Sequence, residues 1–309
     1  MLERFFEKSL TYRIVIGSFV TVLLSLFVFF IGYIFAPKCN GLNGLQLLAK
    51  SNLGTTEIWC VLYMLTIETI CIFLIPAYCF FISLYKNPRL VLRQRRYTWR
   101  EILRSPLILT LVFITLANIP GINLLSQLNT DGILCIVGED SDLWTNYQRM
   151  NDFTEMLLAN SNSLILNIVC MAFVPAICEE IFFRGLLQTI ATNIVKNIHV
   201  AVLLVAAIFS ILHGDVFNFI PRFVLGIFLG YLFIFTQNIF YPILAHCLHN
   251  ASVVLLSSVT TYSEELETIG TTDNKVLLGV ASLLILAGFT TSIITGLSSS
   301  KKKSPAESE

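Results

Sequence analysis

Phe173-Val-Pro-Ala-Ile-Cys-Glu-Glu-Ile-Phe-Phe-Arg-Gly-Leu-Leu187 places two adjacent glutamates, Glu179 and Glu180, together with Arg184 inside a long apolar stretch. A charged side chain at the centre of a bilayer costs about 2.5–3.5 kcal/mol on insertion scales, so three charges within six residues require a reason. Either these charges line a polar cavity in which chemistry takes place, or this helix does not face lipid.

The composition around this stretch is that of a polytopic membrane protein. Of the 309 residues, 55% are hydrophobic and 13% are charged, against about 25% charged in a typical soluble domain. Mean hydropathy is +0.76. Apolar runs long enough to cross a bilayer recur along the chain and predict an all-α protein with about eight transmembrane helices. The predicted spans are Ile14–Ala36, Ile58–Leu84, Pro106–Leu128, Ser161–Thr189, Val200–His213, Phe219–Phe235, Tyr241–Val259 and Val276–Leu297.

Basic residues indicate how these spans are oriented, because cytoplasmic loops carry an excess of lysine and arginine. Lysines and arginines fill residues 86–104, between the second and third spans, and Lys301, Lys302 and Lys303 follow the last span. Both termini are therefore predicted to be cytoplasmic. The first span is too long for the apolar part of a signal peptide, so we expect a retained anchor.

We expect a single integral membrane domain over residues 1–309. Residues 1–160 carry only one acidic residue within their spans and no histidine, and are expected to be scaffold helices. The polar tail at residues 298–309 is expected to be disordered and cytoplasmic. The ionisable residues of the spans concentrate in the fourth to seventh helices, where we expect the active site.

Glu180 and Arg184 are four residues apart, so they share a helix face and can form an ion pair. Glu179 then lies on a different face and is expected to face a cavity, since adjacent helical residues point about 100° apart. The alternative is that both glutamates pair with Arg184 and only lock the helix bundle.

Two histidine motifs complete the polar set. His213 ends Phe209-Ser-Ile-Leu-His213 and precedes Gly214, a natural helix terminator, so its ring is expected at a broken helix end within a cavity. His246 and Asn250 are four residues apart and lie on one helical stripe, from which both can donate hydrogen bonds inward.

Three further residues are expected to serve structure. His249 is expected to make a core hydrogen bond, in preference to a direct role. Gly226 and Gly230 form a Gly-x-x-x-Gly pattern that predicts close packing of two helices.

This inventory is typical of a hydrolytic site. A carboxylate and a histidine can hold and deprotonate a water molecule. A histidine and an asparagine amide can donate hydrogen bonds to a developing oxyanion. The polar set contains no plausible serine or cysteine nucleophile, which favours attack by water over covalent catalysis.

Glu-Glu-x-x-x-Arg, Phe-x-x-x-His and His-x-x-x-Asn, each on a separate span, together resemble the CPBP family, which contains the CAAX prenyl endopeptidases and bacteriocin-processing (Abi-type) membrane proteins. The likeness covers residues 160–258 and implies that this segment is the catalytic core of a membrane-embedded endopeptidase. It implies that Glu179 activates the hydrolytic water with help from His213. It also implies that His246 and Asn250 form the oxyanion hole.

Glu180 and Arg184 are implied to hold the geometry of the site. A metal-independent glutamate protease is the preferred interpretation, without a cofactor. A zinc-dependent metalloprotease is the alternative, with Glu179, His213 and His246 as zinc ligands. The expected partners are a peptide or protein substrate, with a membrane-anchored or prenylated chain as one option, and the lipid bilayer; no nucleic acid is expected.

Two other functions compete with proteolysis. One is a non-catalytic immunity or sorting factor on the same scaffold, in which the polar cluster only binds. The other is a transporter with a glutamate–histidine proton relay, which the lack of a visible inverted repeat disfavours.

Helix geometry raises one difficulty. By this topology His213 lies at the outer end of the fifth span and His246 lies near the inner end of the seventh, so the two could differ in depth by more than about 10 Å. We therefore expect a short fifth helix that ends near the middle of the membrane.

Overall fold

The computed structural model describes residues 23–28, 30, 53–84, 105–158, 163–260 and 272–302. The regular structure of these residues is helical, and they contain no β-strand. The chain is thus an all-α protein in the part described, as predicted.

The helices are numbered here in chain order. Three π-helical turns, at Ile70–Leu74, Ile168–Phe173 and Ile181–Gln188, and one 3₁₀ turn, at Val216–Asn218, connect some of them. The α-helices are α1 (Thr55–Thr69), α2 (Ile75–Leu84), α3 (Pro106–Ala117), α4 (Ile119–Val137), α5 (Asp142–Leu158), α6 (Leu164–Asn167), α7 (Val174–Glu180), α8 (Thr189–Val195), α9 (Ile198–Leu212), α10 (Phe219–Thr236), α11 (Phe240–Thr260) and α12 (Thr272–Lys302).

Five helical segments of the described residues are long and apolar enough to cross a membrane, and a bent pair, α3 with α4, raises the number to six. The chain is therefore a multi-pass integral membrane protein, but the predicted count of eight spans is not confirmed. The five segments are Thr55–Phe80, Leu164–Val195, Val216–Thr236, Phe240–Ser258 and Val276–Ile293.

Two of the predicted spans, the third and the fifth, are not among these five segments, and each has a physical reason. The third is bent by 40° between Ala117 and Ile119, next to Pro120, which lacks the backbone N–H that a continuous helix needs. The fifth is the short helix α9, of 15 residues, as the depth argument required. Most of the first predicted span, Ile14–Ala36, lies outside the described residues.

The described residues divide into two compact units, each with its own core. The first contains those within Met1–Gln94, Asp152–Ile190 and Asn250–Thr261, and the second those within Arg95–Asn151, Ala191–His249 and Tyr262–Glu309.

Two long helical segments, Thr55–Phe80 and Leu164–Val195, provide most of the first unit, and they pack along each other up to Ile190. In each of them a π-helical turn ends two residues before a proline, Pro76 or Pro175. A proline ring clashes with the carbonyl one turn earlier in an α-helix, and a wider turn ahead of it relieves that clash. Both segments therefore accommodate a proline by a π-helical turn that precedes it.

In the second unit, glycines allow helices to approach closely. A Cβ atom on Gly226 of α10 would lie 3.0 Å from Ala206 Cβ and 3.1 Å from Ala206 Cα on α9. A Cβ atom on Gly279 of α12 would lie 2.9 Å from Leu124 Cβ on α4. The predicted packing role of Gly226 is confirmed, and the contact fixes α9 against α10.

Candidate active site

Glu179 and Glu180 end α7, and the π-helical turn Ile181–Gln188 that follows carries Arg184. Arg184 Nη1 donates to Glu180 Oε1 at 2.9 Å, so the predicted ion pair is confirmed. Both side chains of the pair are 0% exposed, and Glu179 is 7% exposed. Three ionisable groups are thus buried within six residues of an apolar segment.

Aromatic rings surround the guanidinium end of this pair. The Phe73 ring lies 5.5 Å from that of Phe183 and 5.6 Å from that of Phe182. Arg184 Cζ lies 5.9 Å from the centre of the Phe183 ring, within the range of a cation–π interaction. The pair is therefore held in a dry environment, in which loss of one charge is costly for the other.

His213 caps the C-terminus of α9 and lies in the second unit. Its Nδ1 atom is 2.7 Å from the backbone oxygen of Phe209, one turn earlier. A carbonyl oxygen can only accept a hydrogen bond, so Nδ1 carries the proton. In the neutral ring, Nε2 is then the acceptor nitrogen, which is the form that a general base requires.

The Phe209 ring contacts both histidines of the predicted set. Its centre lies 4.7 Å from that of the His213 ring and 5.9 Å from that of the His246 ring, edge-on in both cases. Phe209 is 1% exposed and His246 is 3% exposed. The structure therefore brings His213 and His246 to one buried aromatic ring, which removes the depth difficulty.

The chain turns sharply after His213. Gly214 has φ of 67°, a left-handed conformation that glycine adopts without a steric penalty. The Asp215 carboxylate accepts from the backbone N–H of Phe217 at 3.0 Å and from Arg222 Nη1 at 3.0 Å. The predicted helix terminator is confirmed, and Asp215 caps the 3₁₀ turn that follows.

The remaining predicted residues lie on α11. Asn250 follows His246 by four residues on this helix, and belongs to the first unit, whereas His246 belongs to the second. His249 lines a cavity of about 10 Å³ in the second unit, close to the size of one water molecule. The apolar residues Leu225 and Phe228 also line it.

Within the part of the chain that the structure describes, no group of three or more His, Cys, Asp or Glu side chains is arranged to hold a metal ion.

Sequence reasoning gave no role to Phe209 beyond its place in a motif. Its position one turn before His213 was the available signal, because residues four apart share a helix face. Its contact with His246 depends on the packing of α9 and could not be read from spacing.

Residues 161–252 match the family model described as type II CAAX prenyl endopeptidase Rce1-like. A Mycoplasma capricolum subsp. capricolum protein, described as "Uncharacterized protein", is 35% identical over 103 residues, which are 32% of this chain and 30% of that protein. The "Putative membrane peptidase YdiL" of Bacillus subtilis is 30% identical over 122 residues, which are 39% of this chain and 50% of that protein.

The matches thus span half or less of the length of these two curated relatives. No solved structure matches the chain. The family match covers all seven residues of the three motifs, from Glu179 to Asn250, and it supports a membrane peptidase that acts on a peptide or protein substrate. Residues 161–252 of this integral membrane protein are thus similar to an Rce1-like CAAX prenyl endopeptidase domain.

Proposed function

We propose that this domain hydrolyses a peptide bond within the membrane by attack of an activated water molecule. Glu179 takes the proton of the water with help from His213. His246 and Asn250 donate hydrogen bonds to the oxyanion that forms on the substrate carbonyl. Glu180 and Arg184 hold the helix that carries Glu179.

The observation that carries this proposal is the hydrogen bond from His213 Nδ1 to the Phe209 carbonyl. It leaves Nε2 of the neutral ring as the proton acceptor, beside a second buried histidine. Water attack requires a base in this protonation state, and the motif residues supply no serine or cysteine nucleophile.

The proposed function also assigns roles to the parts of the chain and a side of the membrane to its termini. Residues 160–258 form the catalytic core and residues 1–160 serve as scaffold. Of the predicted tail at residues 298–309, the part up to Lys302 belongs to helix α12, and residues 303–309 lie outside the described residues. Both termini are cytoplasmic, because the basic loop at residues 86–104 and Lys301 to Lys303 then lie on the same side. A reporter fused to the C-terminus that is active only outside the cytoplasm should give no signal.

The direct test uses the purified full chain in lipid nanodiscs with a fluorogenic peptide library. A farnesylated CAAX-type peptide and its unmodified counterpart are included, so that the assay also shows whether prenylation is required. Glu179→Gln and His213→Ala should each lower kcat by about 10²–10⁴-fold. Asn250→Ala should lower it by about 10²–10³-fold.

Matched controls carry the same changes at exposed positions. Glu139→Gln and His199→Ala should keep parental activity, since both residues are exposed. Cleavage that persists in both Glu179→Gln and His213→Ala would show that the catalytic assignment is wrong. A parent that binds peptides without cleaving any would favour the sorting or immunity role.

The metal question is tested in the same assay. Activity should survive a strong chelator, with no stoichiometric zinc in the purified protein. Loss of activity on chelation and its rescue by zinc would instead favour a zinc site formed by Glu179, His213 and His246.

A further inference from the structure

Asn129 is a buried amide on α4 whose polar atoms all bind the segment that follows His213. Its Nδ2 atom donates to the backbone oxygens of Val216 at 2.8 Å and of Phe217 at 2.9 Å. Its Oδ1 atom accepts from the backbone N–H of Ile220 at 2.9 Å. One side chain thus forms hydrogen bonds to backbone groups on both sides of a turn that lies 87–91 residues later in the sequence.

The turn needs such a partner because it interrupts the helical hydrogen-bond ladder. Residues 216–218 form a single 3₁₀ turn between α9 and α10, in which the Val216 carbonyl accepts from the backbone N–H of Phe219, and such a turn supplies fewer backbone partners than a continuous helix. Asn129 is 5% exposed, and a buried backbone group that loses its hydrogen bond bears the full cost of desolvation.

Neighbouring contacts hold the same turn from other sides. Ser126, one turn before Asn129 on α4, donates to Asn218 Oδ1. The rings of Trp144 and Tyr147 lie 5.4 Å and 4.6 Å from that of Phe217. Phe217 is itself 2% exposed. The turn is thus held on one side by hydrogen bonds from α4 and on the other by the rings that pack against Phe217.

This turn determines how the backbone leaves His213. Only Gly214 and Asp215 separate His213 from Val216, and Gly214 already adopts a single left-handed conformation. The imidazole is tied at its other end to Phe209. A shift of the turn therefore moves the His213 backbone and, with it, the ring.

We propose that Asn129 is a positioning residue for His213, which it holds in register through the turn at residues 216–220. The role rests on the proposed function of His213. Asn129 lies outside residues 161–252, so the scaffold half of the chain contributes to the site in this way.

The test compares Asn129→Asp with Asn123→Asp in the full chain. The first variant keeps an acceptor for Ile220 but places carboxylate oxygen against two carbonyl oxygens. The second makes the same change at an exposed position of the same helix. With the fluorogenic peptide that the parent cleaves, Asn129→Asp should lower kcat by roughly 10–100-fold, as a misplaced catalytic group does. KM should stay within about threefold, because substrate binding is not affected.

Two further measurements keep the outcome decisive. Ser126→Ala, a milder change at the same turn, should lower kcat by a smaller factor and leave KM unchanged. Hydrogen exchange of residues 214–220 should rise in Asn129→Asp and stay parental in Asn123→Asp. If exchange rises while kcat does not change, or if KM rises as much as kcat falls, the positioning role is wrong.

The His213→Ala variant separates this proposal from the proposed function. If His213→Ala is inactive and Asn129→Asp is fully active, the catalytic role of His213 stands and the role of Asn129 is wrong. If His213→Ala keeps parental activity, the function assigned to His213 fails, and the positioning role fails with it.

Discussion

The buried pair of Glu180 and Arg184 gives the sharpest prediction about stability. The two side chains are 2.9 Å apart and both are 0% exposed. Their charge centres are about 4 Å apart, at which two unit charges attract by about 4 kcal/mol for an effective dielectric constant near 20. Glu180→Gln removes the carboxylate that is hydrogen-bonded to the buried guanidinium, so it should destabilise the protein by up to about 3–5 kcal/mol. Arg184→Met should have a cost of the same size.

The double variant Glu180→Gln with Arg184→Met separates the interaction energy of the pair from the stability losses of the two single variants. With both members of the pair replaced, neither of their charges has to be desolvated, and replacement of a buried pair by apolar groups is often neutral or stabilising. Glu180→Gln with Arg184→Met should therefore recover most of the loss, with a coupling energy of about 3 kcal/mol. Unfolding of purified protein in mixed micelles measures all four proteins of this cycle.

A matched control uses the half-exposed pair of Asp215 and Arg222, whose side chains are 23% and 30% exposed. Arg222→Met should cost only about 0.2–1 kcal/mol, the range of partly exposed pairs, because Asp215 keeps hydrogen bonds from the backbone N–H of Phe217 and from Asn218 Nδ2. If either single variant of the buried pair costs no more than this control, or if the two losses simply add, the argument from a disrupted buried pair is refuted.

Three other substitutions test how the histidine site is built, each by unfolding and by peptidase activity. Gly226→Ala should destabilise the protein by about 1–3 kcal/mol through overpacking against the backbone of α9. The control Gly132→Ala should stabilise it by up to about 1 kcal/mol, because a Cβ atom there meets nothing within 4 Å. Equal effects of the two substitutions on stability would contradict the close contact at Gly226. Gly214→Ala should cost about 1–2 kcal/mol because of its left-handed backbone, and a neutral result, like that expected for the helical Gly288→Ala, would show that this conformation is not required. Phe209→Ala should cost about 3–5 kcal/mol and abolish activity by releasing both imidazoles; full activity would separate the ring from the site.

The sequence predicts the local features of the site well. The ion pair of Glu180 with Arg184 and the helix end at Gly214 depend on residues within one or two turns of each other. The Gly226 contact was predictable because a Gly-x-x-x-Gly pattern has one common use in apolar helices. These features follow from spacing and side-chain chemistry alone.

The features that the sequence does not predict depend on distant packing. Hydropathy identifies the apolar run after Pro106, but it does not indicate the 40° bend that divides it. Phe209 contacts His246 only because α9 and α11 are placed by the core of the second unit. Asn129 is one polar residue among several on α4, and only the fold shows that it reaches a turn almost ninety residues away.

The π-helical turn ahead of Pro175 changes the angular phase of everything that follows it. A helical wheel drawn through the whole of Leu164–Val195 at 3.6 residues per turn assigns the downstream side chains to the wrong sector. Spacings of four are the exception, since they slightly exceed an α turn and fall slightly short of a π turn, so the partners stay aligned in both. Removal of one residue from Ile168–Phe173 would rotate Glu179 and Glu180 by about 100° around the helix axis. The mean hydropathy of the segment would hardly change, although both carboxylates would face a different direction.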